Sequence, residues 1–122
     1  MTLRNVAKAS LVAMMAGADF IKTSTGKEAV NATLPVGLVM TRAIREYALE
    51  TGMAVGFKPA GGIRTAKQSL EWLALMKEEL GDAWLAPHLF RLGASGMLGD
   101  IERQLEFHAT GRYSADFRHP LA

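Results

Sequence analysis

The stretch Phe20-Ile21-Lys22-Thr23-Ser24-Thr25-Gly26-Lys27 decides how the chain is interpreted. The apolar residues before Lys22 predict a β-strand, and the Ser, Thr and Gly residues after it predict a turn. A lysine at that point is unusual, because strand interiors disfavour it and burying an unpaired ammonium is costly. One interpretation is an edge-strand lysine whose charged head reaches water along its apolar stem. The other is a lysine held at a strand end for chemistry.

A second stretch, Val55-Gly56-Phe57-Lys58-Pro59-Ala60-Gly61-Gly62, repeats the pattern of apolar strand, lysine and glycine-rich turn. Side chains alternate along a strand, so Lys22 and Lys58 share one face if the other face packs on helices. Neighbouring parallel strands lie about 4.8 Å apart, and repulsion between two close ammonium groups favours the uncharged amine on one of them. An uncharged amine attacks carbonyl groups. The two stretches therefore predict a reactive lysine, but the pattern does not say which of the two attacks.

The composition is that of one modest globular unit. The 122 residues are 49% hydrophobic, the formal net charge is +2, and there is no cysteine. A core of this size fits one domain or part of one. Basic and acidic residues are interspersed, so we expect no nucleic-acid surface, and no segment approaches the ~20 apolar residues of a membrane span. Residues 4–18 resemble a signal peptide, but cleavage there would remove a helix from the strand that follows, so we expect a cytoplasmic protein.

Hydrophobic spacing predicts a helix followed by three strand–helix units. The predicted helices cover residues 3–16, 35–52, 65–81 and 97–109, and the predicted strands cover 19–23, 54–58 and 89–93. Thr65 and Gln68 have the spacing of a capping box, and one short turn is expected around Trp84. The residues expected to form the apolar stripes of the last two helices are Leu70, Leu73, Ala74 and Met76, and Leu98, Ile101, Leu105 and His108.

Strands that alternate with long helices predict an α/β fold with parallel pairing and right-handed crossovers. Phe20, Val55 and Phe90 are 35 residues apart, a period that suits a (β/α)8 TIM barrel. Such a barrel needs eight strands and about 250 residues. Three strands leave it open, and we expect the faces of Phe20, Phe57 and Phe90 to lack an opposite wall.

A glycine-rich turn follows each predicted strand. The turns contain Gly26, then Gly61 and Gly62, then Gly93 and Gly96, with Lys27 and Arg64 beside them. Glycine lets backbone N–H groups approach a ligand closely, and the loops after the last two strands of a barrel often bind phosphate. Strand–helix loops need glycine for structural reasons as well, so each cluster alone says little. Together with two cations they predict a phosphate site at one rim.

Three segments, FIKTSTGK, GFKPAGGIRT and FRLGASGML, resemble the last three strand ends of deoxyribose-phosphate aldolases, which are class I, Schiff-base enzymes. The resemblance extends from about Lys8 to Tyr113. It implies that residues 1–111 are the C-terminal portion of a partial (β/α)8 TIM barrel, namely a helix followed by strands 6 to 8 of the family fold. Residues 112–122 would form a tail. The implied reaction is reversible cleavage of 2-deoxy-D-ribose 5-phosphate to D-glyceraldehyde 3-phosphate and acetaldehyde, in deoxyribonucleotide catabolism.

The resemblance also implies roles for individual residues. Lys22 would form the imine and Lys58 would be its proton-handling partner, with no cofactor and no metal ion. The substrate phosphate would bind at Lys27, Gly62, Ser95 and Gly96, and the glycine-rich turns add Gly26 and Gly61 to the predicted site. Gly96 stands where many relatives have a second serine. The family's relay aspartate comes from an earlier strand, and no residue of this chain replaces it.

Two alternatives to an active enzyme remain open. One is a non-catalytic half-barrel that binds phosphate, and the other is an interaction module whose apolar edge docks on a partner. For the enzyme, the expected partner is a small phosphorylated sugar. Exposed strand edges invite association, so a homo-oligomer formed through the family's dimer contact or through the open barrel edge is also considered.

Overall fold

The computed structural model describes residues 2–23, 32–94 and 96–111. They form α-helices that alternate with short parallel strands, which confirms the predicted α/β class. The elements are α1 (Leu3–Met15), β1 (Phe20–Lys22), α2 (Leu34–Thr51), β2 (Gly56–Lys58), α3 (Ala66–Leu80), a short 3-10 helix (Asp82–Trp84) and α4 (Met97–Thr110). The predicted tail, 112–122, lies outside the described residues.

Threonine side chains cap the N-termini of α1, α2 and α3. Thr2, Thr33 and Thr65 each accept a hydrogen bond from the backbone N–H three residues later. Thr65 and Gln68 form both halves of the predicted capping box. Short-range sequence signals therefore determine where these three helices begin.

The sheet is parallel and follows the order of the chain. β1 pairs with β2 in the register Phe20 with Gly56, Ile21 with Phe57 and Lys22 with Lys58. The predicted third strand is present as a segment, residues 89–93, which joins β2 through two parallel bridges, Phe57 with Phe90 and Ala60 with Gly93. Among the described residues β1 is an edge strand, because its pairing is with β2 alone.

The spacing of 35 residues between Phe20, Val55 and Phe90 does not correspond to structural equivalence. Phe20 pairs with Gly56, 36 residues later, and Phe57 pairs with Phe90, 33 residues later. Side chains alternate along each strand, so Phe20 lies on the face opposite to Phe57 and Phe90.

The core lies between one face of the sheet and the helices. Ile21 is 4% exposed and Phe57 is 0% exposed, and both belong to a cluster with Ile44 of α2 and Trp72 of α3. The Phe57 and Trp72 ring centres are 6.0 Å apart. Phe90 packs against the same cluster. The expectation that Phe57 and Phe90 lack a wall is therefore wrong, because both lie on the side that the helices cover.

The predicted apolar stripes of α3 and α4 coincide only in part with the observed buried faces. Among the residues expected in those stripes, the exposed ones are Leu70, Leu73, Ala74, Leu98, Leu105 and His108. Met76 of the predicted α3 stripe is buried as expected, and Ile101 of the predicted α4 stripe packs against the core. α3 also buries Trp72, and α4 also buries Met97. Both helices carry apolar residues on more than one face, and spacing alone does not show which face meets the sheet.

Thr23 joins the ends of β1 and β2. Its hydroxyl donates to the backbone oxygen of Ala60 at 2.6 Å and accepts from the Ala60 N–H at 2.8 Å. Both bonds lie just beyond the residues that pair Lys22 with Lys58. A single side chain therefore holds the two strand ends together where the candidate site begins.

We expect Thr23→Val to loosen this junction, because valine keeps the shape of threonine but makes neither hydrogen bond. The free energy of unfolding should fall by about 1–3 kcal/mol, since the Ala60 N–H and C=O are left unpaired. Amide hydrogen exchange at Ala60 should become faster. Thr23→Ser is the matched control, and it should retain both the protection and most of the stability. Equal exchange at Ala60 in the valine and serine variants would contradict the assigned role.

Candidate active site

Lys22 and Lys58 lie opposite each other at the C-terminal ends of β1 and β2. Their strand neighbours Ile21 and Phe57 are buried under the helices, so the two lysines leave the sheet on the other face. Lys22 is exposed and Lys58 is partly exposed. The alternation along the strands predicted two adjacent lysines on one face of the sheet, and the structure has this arrangement. Which of the two reacts stays a prediction.

Gly93 allows the third segment to approach Lys58. A Cβ at this position would lie 2.6 Å from the Cβ of Ala60 and 3.2 Å from the Cε of Lys58. The first of these distances is a clash, so a larger residue would displace the end of β2 or the lysine side chain. The glycine after the third strand therefore has a packing function next to the lysine pair.

Arg91 adds a third cation on the lysine face, and the sequence analysis did not single it out. The pairing of residues 57 and 90 places Arg91 next to Lys58 in the register. Its guanidinium carbon lies 4.8 Å from the centre of the Phe20 ring, within cation–π range. The alternation of side chains along residues 89–93 could have indicated Arg91, because it places Arg91 opposite to Phe90, which packs against the helices.

Gly61 and Gly62 form the turn after β2, with φ values of 100° and 88°. Residues with a side chain rarely adopt this left-handed backbone, so both glycines are required by the geometry of the turn. The loop brings its backbone to the rim of the sheet beside the end of β2. This is compatible with the phosphate-binding role predicted for the two residues.

The backbone N–H groups that begin α3 already have protein partners. The Gln68 side-chain oxygen accepts from the N–H groups of Arg64 and Thr65, at 2.7 and 3.1 Å. The Asp100 carboxylate accepts from the Ala66 N–H at 2.7 Å. These three N–H groups are therefore already occupied and do not face an anion with a free donor.

α4 begins differently. Its N-cap is Gly96, which has no side chain, and no side-chain cap is made there among the described residues. The N–H groups of the first helical turn point out of the helix and carry a partial positive charge, which favours an anion. The remaining predicted phosphate residues, Gly26, Lys27 and Ser95, lie outside the described residues.

A cavity of about 330 Å³ runs beside the edge strand β1. Its lining comes from α1, β1 and α2 and includes Ser10, Phe20, Lys22 and Thr23. The cavity therefore borders the strand that carries Lys22, on the side where α1 and α2 pack.

Two kinds of feature are absent from the described part of the chain. It contains no group of three or more His, Cys, Asp or Glu side chains that could hold a metal ion. None of its helices is long and apolar enough to cross a membrane.

The sequence matches known aldolases. Residues 2–98 match the family model described as "DeoC/LacD family aldolase". Over 121 residues the chain is 69% identical to the deoxyribose-phosphate aldolase of Mus musculus and 66% identical to that of Homo sapiens. Each match covers 99% of this chain and 38% of the relative, so the chain spans less than half the length of these relatives.

The fold also matches solved structures. A crystal structure from Toxoplasma gondii ME49, of a protein provisionally named deoxyribose-phosphate aldolase, superposes with a TM-score of 0.75 at 24% identity. The match covers 92% of this chain and 43% of the other. At this identity the likeness concerns the fold alone. The family model and the mouse and human relatives go further and confirm the resemblance seen in the three motifs: the chain belongs to the DeoC/LacD family of aldolases.

Proposed function

We propose that this chain is the part of a deoxyribose-phosphate aldolase that carries the Schiff-base lysine. The observation that carries the proposal is the register that sets Lys22 opposite Lys58, on the face of the sheet that the helices leave uncovered. The names of the mouse and human relatives support the same activity. In this proposal the enzyme acts in the cytoplasm, in deoxyribonucleotide catabolism.

The proposed reaction begins when the Lys22 amine attacks the aldehyde carbon of 2-deoxy-D-ribose 5-phosphate. Loss of water gives a protonated imine, which withdraws electrons from the adjacent carbon. A base removes the proton of the C3 hydroxyl, the C2–C3 bond breaks, and its electron pair forms an enamine as D-glyceraldehyde 3-phosphate leaves. Protonation of the enamine and hydrolysis of the imine release acetaldehyde. Lys58, next to Lys22, is the group proposed to pass these protons.

The proposed fold of the complete enzyme is a (β/α)8 TIM barrel, with this chain as strands 6 to 8 and their helices. Two features support this assignment. The described strands are parallel and in sequential order, with a helix after each strand. The chain also superposes on less than half of a longer structure of the same fold. In a closed barrel, the lysine face becomes the interior and the helices form the outer layer.

The proposed phosphate site combines Gly61 and Gly62 with the start of α4 at Gly96. It is supported by the left-handed turn of the two glycines and by the start of α4, which no side chain of the described residues caps. Gly26, Lys27 and Ser95 complete the proposed site. The same rim carries Lys22 and Lys58, so a phosphorylated sugar bound there would present its other end to the lysines.

Borohydride reduction tests the imine. The chain incubated with 2-deoxy-D-ribose 5-phosphate and borohydride should acquire a stable adduct, and peptide mapping by mass spectrometry should locate that adduct on Lys22. Lys22→Met should abolish it. Lys58→Met should slow its formation by about 100-fold or more, because positioned proton transfer contributes at least that much.

Lys67→Met is the matched control, since Lys67 is an exposed lysine on α3. Its adduct should form at the parent rate. An adduct found on Lys58 or Lys27 with Lys22 unmodified would overturn the assignment. A folded chain that binds the sugar phosphate but never forms an adduct would favour the non-catalytic half-barrel.

Turnover should depend on the rest of the barrel. The chain alone should cleave the substrate far more slowly than the mouse relative, because the lysine face lacks its opposite wall and the relay aspartate. Addition of the remaining part of the mouse relative, as a second chain, should restore cleavage of the substrate. The same addition should not restore cleavage by the Lys22→Met variant. A monodisperse 13.2 kDa monomer with full turnover would contradict this proposal.

A further inference from the structure

Asp100 makes a contact between helices that the proposed reaction does not use. It lies in the first turn of α4, where an acidic side chain would ordinarily stay at the positive end of its own helix. Its Oδ2 instead accepts a hydrogen bond from the backbone N–H of Ala66, the first residue of α3, at 2.7 Å. The bond is partly buried and links residues 34 positions apart.

This bond adds to the protein partners of the backbone N–H groups at the start of α3. Gln68 occupies the N–H groups of Arg64 and Thr65, and Thr65 occupies that of Gln68. Asp100 occupies that of Ala66. An anion at the rim therefore finds these four donors of α3 already paired, whereas no side chain among the described residues caps α4 at Gly96.

The same bond connects the two loops of the proposed phosphate site. Gly61 and Gly62 precede α3, and Gly96 begins α4. A carboxylate fixed on the Ala66 N–H holds the starts of the two helices at a set distance. The hydrogen bond also directs the negative charge of the carboxylate toward a donor of α3. The carboxylate then repels an anion at the start of α4 less strongly.

We propose that Asp100 is a positioning residue of the phosphate site, which holds the start of α4 against the start of α3 and directs the anion to α4. The inference rests on the phosphate site of the proposed function. Asp100 does not touch the phosphate, and it acts through the placement of the N–H groups of α4.

The test compares the affinity of the full 122-residue chain and of three variants for inorganic phosphate, measured by ³¹P and ¹⁵N NMR titration. Asp100→Ala removes both the carboxylate and the link to Ala66. Asp100→Asn removes the charge but keeps an acceptor oxygen. Thr65→Val is the matched control, because it removes another hydrogen bond at the start of α3 without a link to α4.

We expect Asp100→Ala to weaken phosphate affinity about tenfold, as for the loss of one well-placed polar contact. Asp100→Asn should bind phosphate at least as tightly as the parent. Thr65→Val should lower stability but leave the affinity unchanged. In the parent, phosphate should shift the amide signals of residues 97–99 and leave that of Ala66 in place.

The outcomes separate this inference from the proposed function. Equal or tighter binding by Asp100→Ala, with normal binding by the parent, would overturn the positioning role and leave the phosphate site standing. A tenfold loss in Thr65→Val as well would also overturn it, since general loosening of α3 would then suffice. A parent chain that binds no phosphate would remove the phosphate site and this inference together.

Discussion

The burial of Ile21 and Phe57 determines the placement of the two lysines at the candidate site. These residues pair across β1 and β2 and pack under the helices, and the alternation along each strand then sends Lys22 and Lys58 to the other face. A slip by one residue would exchange the two faces. It would bury an ammonium, at a cost of several kcal/mol, and expose side chains whose burial contributes about 1.5–3 kcal/mol each. The hydrophobic core therefore sets the register that brings the two amines together.

Features determined by residues close in sequence were predictable. The capping box of Thr65 and Gln68 and the end of α2 at Gly52 each depend on a few neighbouring positions, and both are present in the structure. The shared face of Lys22 and Lys58 required one further assumption, that the apolar side of each strand meets the helices. Strand alternation makes that assumption safe, because a strand has only two faces.

Features determined by distant contacts were not predictable. α3 carries Leu70 and Leu73 on one side and Trp72 with Met76 on another, and only packing on the sheet shows that the second side is buried. The Asp100 contact with Ala66 depends on how α3 and α4 pack together, and no local sequence pattern predicts it. The expectation that Phe57 lacks a wall was wrong for another reason, because strand alternation places Phe57 opposite to Lys58, on the side that packs on the helices.

The uncovered lysine face connects folding with chemistry. β1, β2 and residues 89–93 contain no acidic residue, so Lys22, Lys58 and Arg91 face solvent without a carboxylate on these strands. Two charges 4 Å apart interact with about 1 kcal/mol in water, but with about 4 kcal/mol at the effective dielectric constant near a protein surface. Repulsion among these three cations therefore costs more free energy once a wall excludes water from this face. Such a wall would also need acidic groups to balance three cations, and an acid is what the proton transfers of the proposed reaction require. Closure of the barrel and assembly of the proton relay would then be the same structural event.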